Sequence, residues 1–135
     1  MMDEVYQIAV DKGEEIKDKI NQFILEKKWK AAVILCGIGS VRDVQYANPA
    51  GTADNYTIEF FDCPEPAELV SFTGEVMKGE RMAPALRKVY GDPGEYFIHI
   101  HAAGAMAGGV VRGGGFQKGY ALRAVNVFIR QMPEI

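Results

Sequence analysis

One segment of this chain has the spacing of an amphipathic helix, whereas the segments around it have the patterns of strands. Its apolar stripe follows the i, i+4, i+7, i+8 spacing of one helix face and consists of Ile16, Ile20, Phe23 and Ile24. Glu14 and Glu15 precede the stripe, where carboxylates favour the positive end of the helix dipole. The pattern predicts one main amphipathic helix over residues 14 to 28, so the rest of the core must come from strands.

Strand-like segments make up most of the remaining chain. Ala31 to Cys36 is an unbroken apolar run of strand length, which predicts a strand covered on both faces. Asn48-Pro49-Ala50-Gly51 predicts a turn. The other predicted strands are Val5 to Val10, Val41 to Tyr46, Tyr56 to Phe60, Leu69 to Met77, Tyr96 to Ala102 and Tyr120 to Arg130. Strands therefore outnumber helices.

Size and charge narrow the function classes. A chain of 135 residues and 14.9 kDa predicts a single domain over residues 1–135. The net charge is -3, so nucleic-acid binding would need a local basic patch. Cys36 and Cys63 lack the spacing of a disulfide framework, which indicates reduced thiols and a cytoplasmic protein. Because no apolar run approaches the ~20 residues of a membrane span, no membrane partner is expected.

The segment from 80 to 91 predicts an exposed excursion with one short helical turn. It ends at the turn signal Asp92-Pro93-Gly94 and carries three basic side chains. The candidate nucleic-acid contacts are these three, with one more farther along the chain: Arg81, Arg87, Lys88 and Arg112.

Two glycine-containing segments invite a nucleotide-binding interpretation. Gly37-Ile38-Gly39-Ser40 would need a helix directly after it to bind a pyrophosphate, but a strand pattern follows, which favours a bulge or a close backbone approach. Glycine also dominates from 104 to 119, where Arg112 and Lys118 would serve a phosphate loop, again without a following helix. Crowded backbones at an oligomer axis or a ligand-facing loop account for this density better.

Both histidines of the chain, His99 and His101, lie at alternate positions of one predicted strand. Side chains at i and i+2 share a strand face, and two imidazoles at that spacing reach one metal ion. A tight zinc site normally has at least three protein ligands, so a further donor would have to come from another strand or subunit. A pair of packed, hydrogen-bonded histidines is the favoured alternative.

The order of these features resembles the PPC domain, the plant and prokaryote conserved domain, over about residues 5 to 130. The motifs that carry the resemblance are Gly13-Glu14-Glu15-Ile16, Gly37-Ile38-Gly39-Ser40, Glu68-Leu69-Val70-Ser71-Phe72-Thr73-Gly74 and His99-Ile100-His101-Ala102. The resemblance implies an α/β (α+β) fold: a mostly antiparallel, mixed β-sheet of about six to seven strands with one main amphipathic helix packed on it. It also implies a homotrimer, with 80–91 as an insertion relative to shorter members.

In plants such domains accompany AT-hook segments that bind the minor groove of AT-rich DNA, and prokaryotic relatives are often labelled predicted DNA-binding proteins. These 135 residues contain no Arg-Gly-Arg-Pro hook. The resemblance therefore implies a regulatory, DNA-associated module whose own DNA contact is weak or made through partners.

Many bacterial members resemble metal-site proteins with a third histidine after a Gly-Gly pair. Gly115 stands at that position in this chain, and Asn126 stands in the last strand where many relatives carry a glutamate. An amide keeps a hydrogen-bonding group but lacks the negative charge that orients a histidine or neutralises a cation. The resemblance thus implies that zinc at His99 and His101 would occupy an incomplete site.

Two hypotheses from different classes remain. The first is a homotrimeric PPC-like binding module. The alternative is a small-molecule- or metal-binding protein, or a lyase-like enzyme, whose pocket holds His99, His101 and Arg112 beside Gly115 and Asn126, with the arginine paired to a carboxylate or phosphate. The binding module is favoured because it requires no complete catalytic set, so neither an enzymatic activity nor a firm cofactor is predicted.

Overall fold

The computed structural model describes residues 3–134 and confirms the predicted fold class. In chain order the elements are β1 (Val5–Asp11), α1 (Ile16–Lys27), β2 (Ala32–Thr52), β3 (Asn55–Cys63), β4 (Ala67–Lys78), α2 (Pro84–Tyr90), β5 (Tyr96–Ala105) and β6 (Val111–Gln131). Short 3₁₀ turns occupy Gly79–Arg81 and Ala107–Gly109. Every strand pairing in this part of the chain is antiparallel.

Four of the six strands form a closed ring. The sheet order is β1-β6-β5-β4-β2-β3, and an additional pairing joins β6 to β2. The ring therefore runs through β6, β5, β4 and β2, while β1 and β3 flank it. Closure satisfies the backbone groups of the paired segments without exposing edges.

The ring is incomplete along part of β5. This strand pairs with β4 from Tyr96 to Ala105, but with β6 only from His101 to Ala105. Residues 96–100 diverge from β6, which pairs instead with β2 beyond Gly115. The two strands therefore enclose a wedge-shaped opening.

Helix α1 fills this wedge. At its amino end, Glu15 accepts a hydrogen bond from the backbone N–H of Gly119 on β6 at 3.0 Å. Beyond its carboxyl end, the carbonyl of Trp29 accepts one from the Tyr96 hydroxyl of β5 at 2.6 Å. The helix thus spans from one strand to the other across the opening.

The apolar stripe of α1 supplies the helix contribution to the core. Its three isoleucines, Ile16, Ile20 and Ile24, are fully buried, which stabilises the fold by roughly 1.5–3 kcal/mol each. Glu15 caps the helix by accepting a hydrogen bond from the Asp18 N–H at 2.8 Å. Because Glu15 is the cap, the helix begins at Ile16, two residues later than the predicted start.

The sequence prediction for β2 was wrong in its boundaries. From Ala32 onward, the segments predicted as two strands and the whole of the turn predicted at 48–51 form one strand of 21 residues, and the chain reverses at 53–54. Pro49 is tolerated because β2 pairs there with β3 alone. Gly39, at a register shift with φ 140°, lies against the carbonyl of Ala124, which confirms the predicted bulge and close backbone approach.

The expectation that Ala31 to Cys36 is covered on both faces is also wrong for the single chain. Ala32 and Ile34 are buried, but Leu35 and Cys36 are exposed. One face of the segment packs on the core and the other lies open, as in most antiparallel sheets.

The glycine-rich segment from 104 to 119 is divided between the end of β5, the reversal that follows it and the first part of β6. Gly113–Gly115 lie within the strand, and the reversal from β5 occurs at 106–110. A Cβ atom on Gly113 would overlap the carbonyl oxygen of Ala102. On Gly114, where φ is 146°, it would overlap the side chain of Asn48. The predicted crowding of backbones is therefore real.

The segment from 80 to 91 is mostly exposed, as predicted, and is more helical than expected. It contains the end of a 3₁₀ turn and the seven residues of α2. Within residues 3–134, neither helix is long and apolar enough to cross a membrane.

Candidate functional site

A groove of about 820 Å³ follows the free part of β5. One wall comes from α1, through Lys17, Asp18 and Asn21, and another comes from α2. The Ala47–Pro49 part of β2 and the Gly114–Gln117 part of β6 close one end. The groove therefore lies where the wedge between β5 and β6 opens to the surface.

The two histidines line this groove from one face of β5. The ring of His99 stacks on that of Phe97, with centroids 5.3 Å apart and planes 13° apart. The ring of His101 meets His99 edge-on, with centroids 5.0 Å apart. The three aromatic side chains form a continuous row, because alternate residues of a strand project from the same face.

Neighbouring strands supply the partners of these histidines. His99 Nδ1 lies 3.3 Å from Glu75 Oε1 on β4, and both side chains are substantially exposed. His101 lies between Thr73 on β4 and Gly115 on β6 in the strand register. Sequence reasoning missed Glu75, since its proximity depends on a pairing between strands that are far apart in the chain.

The residues around the histidines do not fit a tight metal site within one chain. Among residues 3–134 there is no group of three or more His, Cys, Asp or Glu side chains placed to hold a metal ion. Gly115 lies directly opposite His101 and offers no side-chain donor. Asn126 is remote from the groove, on the part of β6 that pairs with β1, where it accepts a hydrogen bond from Gln7 at 2.9 Å. In the single chain it therefore does not line the groove with the histidines.

Arg112 is also absent from the groove. It pairs with Gly104 near the opposite end of β5 and lines a second cavity, of about 650 Å³, together with Met106 and Glu68. It lies three positions before Gly115, a spacing of about 10 Å along β6. The expected pocket of His99, His101 and Arg112 is therefore not assembled in the single chain.

The basic side chains proposed for nucleic-acid contact do not converge either. Arg87 donates hydrogen bonds to the carbonyls of Gly79, at 2.6 Å, and Met82, at 3.3 Å, so it fastens α2 to the preceding turn. Arg81 and Lys88 are exposed on this segment, whereas Arg112 lies beside the second cavity. Of the four predicted contacts, only Arg81 and Lys88 lie on this segment without a hydrogen bond or ion pair to another of residues 3–134. The four side chains do not form one basic patch.

Lys17 is a functional candidate that sequence reasoning missed. Its side chain lines the groove from the first turn of α1, and burial lowers its pKa, an effect that Glu15 partly offsets. No hydrogen bond or ion pair joins its ammonium to another residue in the range 3–134. The spacing of Lys17 and Asn21 beside the apolar stripe would have placed both next to a helix-packing surface.

Comparison with solved structures supports the same fold. A PPC protein from Pyrococcus horikoshii is 22% identical, with a TM-score of 0.72, over 99% of this chain and 82% of that one. A metal-containing protein from Archaeoglobus fulgidus is 24% identical, with a TM-score of 0.73, over 99% and 83%. A candidate DNA-binding protein from Bacteroides thetaiotaomicron is 16% identical, with a TM-score of 0.72, over 99% and 82%.

No functionally curated protein matches the chain. The family model described as the Plants and Prokaryotes Conserved (PCC) domain matches residues 2–133, nearly the whole sequence. The closed four-strand ring and the helix in its wedge are thus the form that this domain takes here, and the chain belongs to the Plants and Prokaryotes Conserved domain family.

Proposed function

We propose that this chain is a homotrimeric, DNA-associated binding module whose own contacts with DNA are weak. Family membership and the candidate DNA-binding proteins among its structural neighbours support the association with DNA. The cytoplasm, where DNA-associated regulation takes place in prokaryotes, is the corresponding location. Self-association would supply the multivalency that a single chain with few free cations lacks.

The observation that carries the proposal of a trimer is an apolar patch on the outer face of the sheet. Ile38 is 63% exposed, although it lies in the middle of a ring strand. Two residues away along the ladder, exposed Cys36 on the same strand pairs with half-buried Phe128 on β6, whereas Asn126 lies directly opposite Ile38. We call the side chains of Cys36, Ile38 and Phe128 the outer patch. Val70, on the neighbouring ring strand β4, is 58% exposed. Contiguous exposed apolar surface of this kind is typical of a subunit interface.

We expect a mass of three subunits, each of 14.9 kDa, from light scattering after size exclusion. Ile38→Glu would place a charge in the interface and lower the mass to that of one chain, without unfolding it, because the side chain is already exposed. Leu25→Glu is the matched control, since Leu25 is an exposed apolar residue of α1 outside the sheet. A monomeric unmodified protein at micromolar concentration would contradict the proposal.

The free cations predict how the protein binds DNA. With Arg81 and Lys88 as the main contacts, duplex DNA should bind with a Kd of about 10⁻⁴ to 10⁻⁵ M at physiological salt and a log–log salt slope near -2 per chain. AT-rich and GC-rich duplexes should bind alike, because no groove-fitting element reads base edges. Fluorescence anisotropy measures both quantities.

The double variant Arg81→Ala, Lys88→Ala should abolish this binding, whereas Lys12→Ala, at an exposed lysine of the loop before α1, should leave it nearly unchanged. Submicromolar, sequence-dependent affinity would show that the chain has a specific DNA surface that the proposal lacks.

A second candidate function is a ligand site at His99 and His101. The adjacent, exposed rings of these residues in an open groove favour it. In a single chain the site lacks a third strong donor, so a metal ion would be held loosely, completed by water or by a group from another subunit. Protonation of the imidazoles would release it.

The substitution Gly115→His tests whether the metal site is incomplete because it lacks a third histidine. Because Gly115 lies opposite His101, its new imidazole would share a face with both histidines and give three nitrogen donors. We expect the unmodified protein to lose added zinc on dialysis and the variant to retain it at about one ion per chain. Metal analysis measures the difference.

Gly115→Ala is the control for strain, since a Cβ there lies 3.0 Å from the carbonyl oxygen of Ala47. Zinc that survives dialysis of the unmodified protein, and is lost in His101→Ala, would overturn this account and favour a functional metal centre.

A further inference from the structure

We propose that β3 pairs with the β3 strand of a second copy of this chain, in antiparallel orientation about a two-fold axis at Ile58. This contact is separate from the outer patch, and it requires neither the trimer nor DNA binding. The exposure of the strand, the direction of its free backbone groups and the order of its side chains each support this partner.

The strand β3 is an accessible edge of the sheet. It is the last strand in the sheet order, and within residues 3–134 it pairs with β2 alone. Of its nine residues, only Cys63 is buried, and six are exposed. Tyr56 is 59% exposed and Phe60 is 45% exposed. The outer side of the strand is therefore open to another chain.

The pairing with β2 determines which backbone groups of β3 are free. The hairpin reverses between the paired residues Thr52 and Asn55, so hydrogen-bonded pairs with β2 recur at every second residue from Asn55. Pro49, which has no N–H, accordingly lies opposite Ile58 at a position without these bonds. Residues 56, 58 and 60 thus direct their N–H and C=O groups away from β2, toward the outer side.

This edge lacks several features that usually prevent strand addition. The strand contains no proline, no lysine and no arginine. Its register with β2 continues without a bulge from Val44 to Thr52. At residues 96–100 of β5, by contrast, α1 spans the open side and alternate side chains are buried. A second strand can therefore be added at β3, whereas α1 already covers the opening beside β5.

The side chains of β3 are complementary to themselves in one register. With Ile58 opposite Ile58 of the second copy, Tyr56 of each copy lies opposite Phe60 of the other, and all these residues form hydrogen-bonded pairs. Glu59 then lies opposite Thr57. An axis at Glu59 would instead place two carboxylates directly opposite each other, which is destabilising.

The helix α2 extends the aromatic surface that this contact would cover. The Phe60 ring meets the Tyr90 ring at an interplanar angle of 70°, with centroids 5.9 Å apart. Tyr90 is itself 37% exposed. Because directly opposite residues share one face of a sheet, Tyr56 of the second copy would lie on the same face as this ring pair. Burial of aromatic surface at both ends of the contact favours association.

Charge and size limit the strength of the contact. In this register Asp54, in the turn, lies opposite Asp62 of the second copy, and the symmetry repeats this repulsion at the other end. Strand pairing over residues 55–61 also buries less than the ~800 Å² per partner of a standard stable interface. We therefore expect reversible association at about 0.1–1 mM, well above the micromolar concentrations at which the trimer is tested.

The test is sedimentation velocity at increasing protein concentration and physiological salt. In Ile38→Glu, which is expected to be a single chain, the mass should rise to that of two chains and no further. The unmodified protein should associate in the same concentration range, because the β3 edge does not include the outer patch. A monomeric unmodified protein would refute the trimer and would still have to form pairs of chains through β3.

Charge reversal distinguishes this register from other contacts. Asp54→Lys should strengthen association about fivefold to tenfold, because two repulsive pairs become attractive, and Asp62→Lys should do the same. The double variant with both substitutions places lysine opposite lysine, so its association should again be weak. Asp11→Lys is the matched control for net charge, since it changes an exposed aspartate of β1, the strand at the other end of the sheet order.

A proline at position 58 tests the role of the backbone. Ile58→Pro removes an N–H that points outward and leaves the hydrogen bonds between β3 and β2 in place, so the hairpin should persist and association should be lost. Ile58→Val keeps the N–H and should associate like the unmodified chain.

Four outcomes would overturn the proposal. The first is a constant mass up to about 1 mM. The second is equal strengthening by Asp54→Lys and Asp11→Lys, and the third is association that persists in Ile58→Pro. Growth of Ile38→Glu beyond two chains would be the fourth, since it would indicate a head-to-tail contact rather than a two-fold one.

Discussion

The divergence of β5 from β6 is the constraint on which the rest of this structure depends. Both strands pair through the short segment in which His101 faces Gly115, and then β6 follows β2 to close the ring. Residues 96–100 of β5 are left without a partner on that side. The resulting wedge would expose core side chains to water, so the chain needs one helix to cover it, and α1 is placed and capped to do so.

The same divergence creates the groove. Because α1 packs its isoleucines inward, its polar flank is left facing the free edge of β5. Lys17 is consequently held in partly desolvated surroundings that lower its pKa, an effect that nearby Glu15 partly offsets. A stable fold would gain by replacing such a residue with an apolar one, as buried charges generally cost stability.

The folded structure places the two histidines in an exposed row of side chains along the groove. They form part of an exposed row with Phe97, and Glu75 lies within reach of His99. In the single chain this arrangement is a polar, aromatic surface rather than a coordination sphere, because the position opposite His101 is a glycine. Completion of a metal site would depend on another subunit or on a substitution.

The sequence alone predicted those features that depend on neighbouring residues. The helix and most strands follow from local periodicity, and the crowding at the glycines follows from their density. The length of β2 could not be predicted in this way, since its continuity past Pro49 depends on which strands lie beside it. The positions of Arg112 and Asn126 outside the groove have the same cause: their distance from the histidines is set by strand register, which is a property of the folded sheet.

Amide hydrogen exchange along β5 tests the central claim, that the ring is open at residues 96–100, most directly. Amides from 101 to 105 lie between two paired strands and should exchange slowly throughout. Between 97 and 100, amides bonded to β4 should be equally slow, and the alternate amides directed toward the groove should exchange much faster. Uniformly slow exchange from 97 to 105 in the protein alone would contradict the open edge.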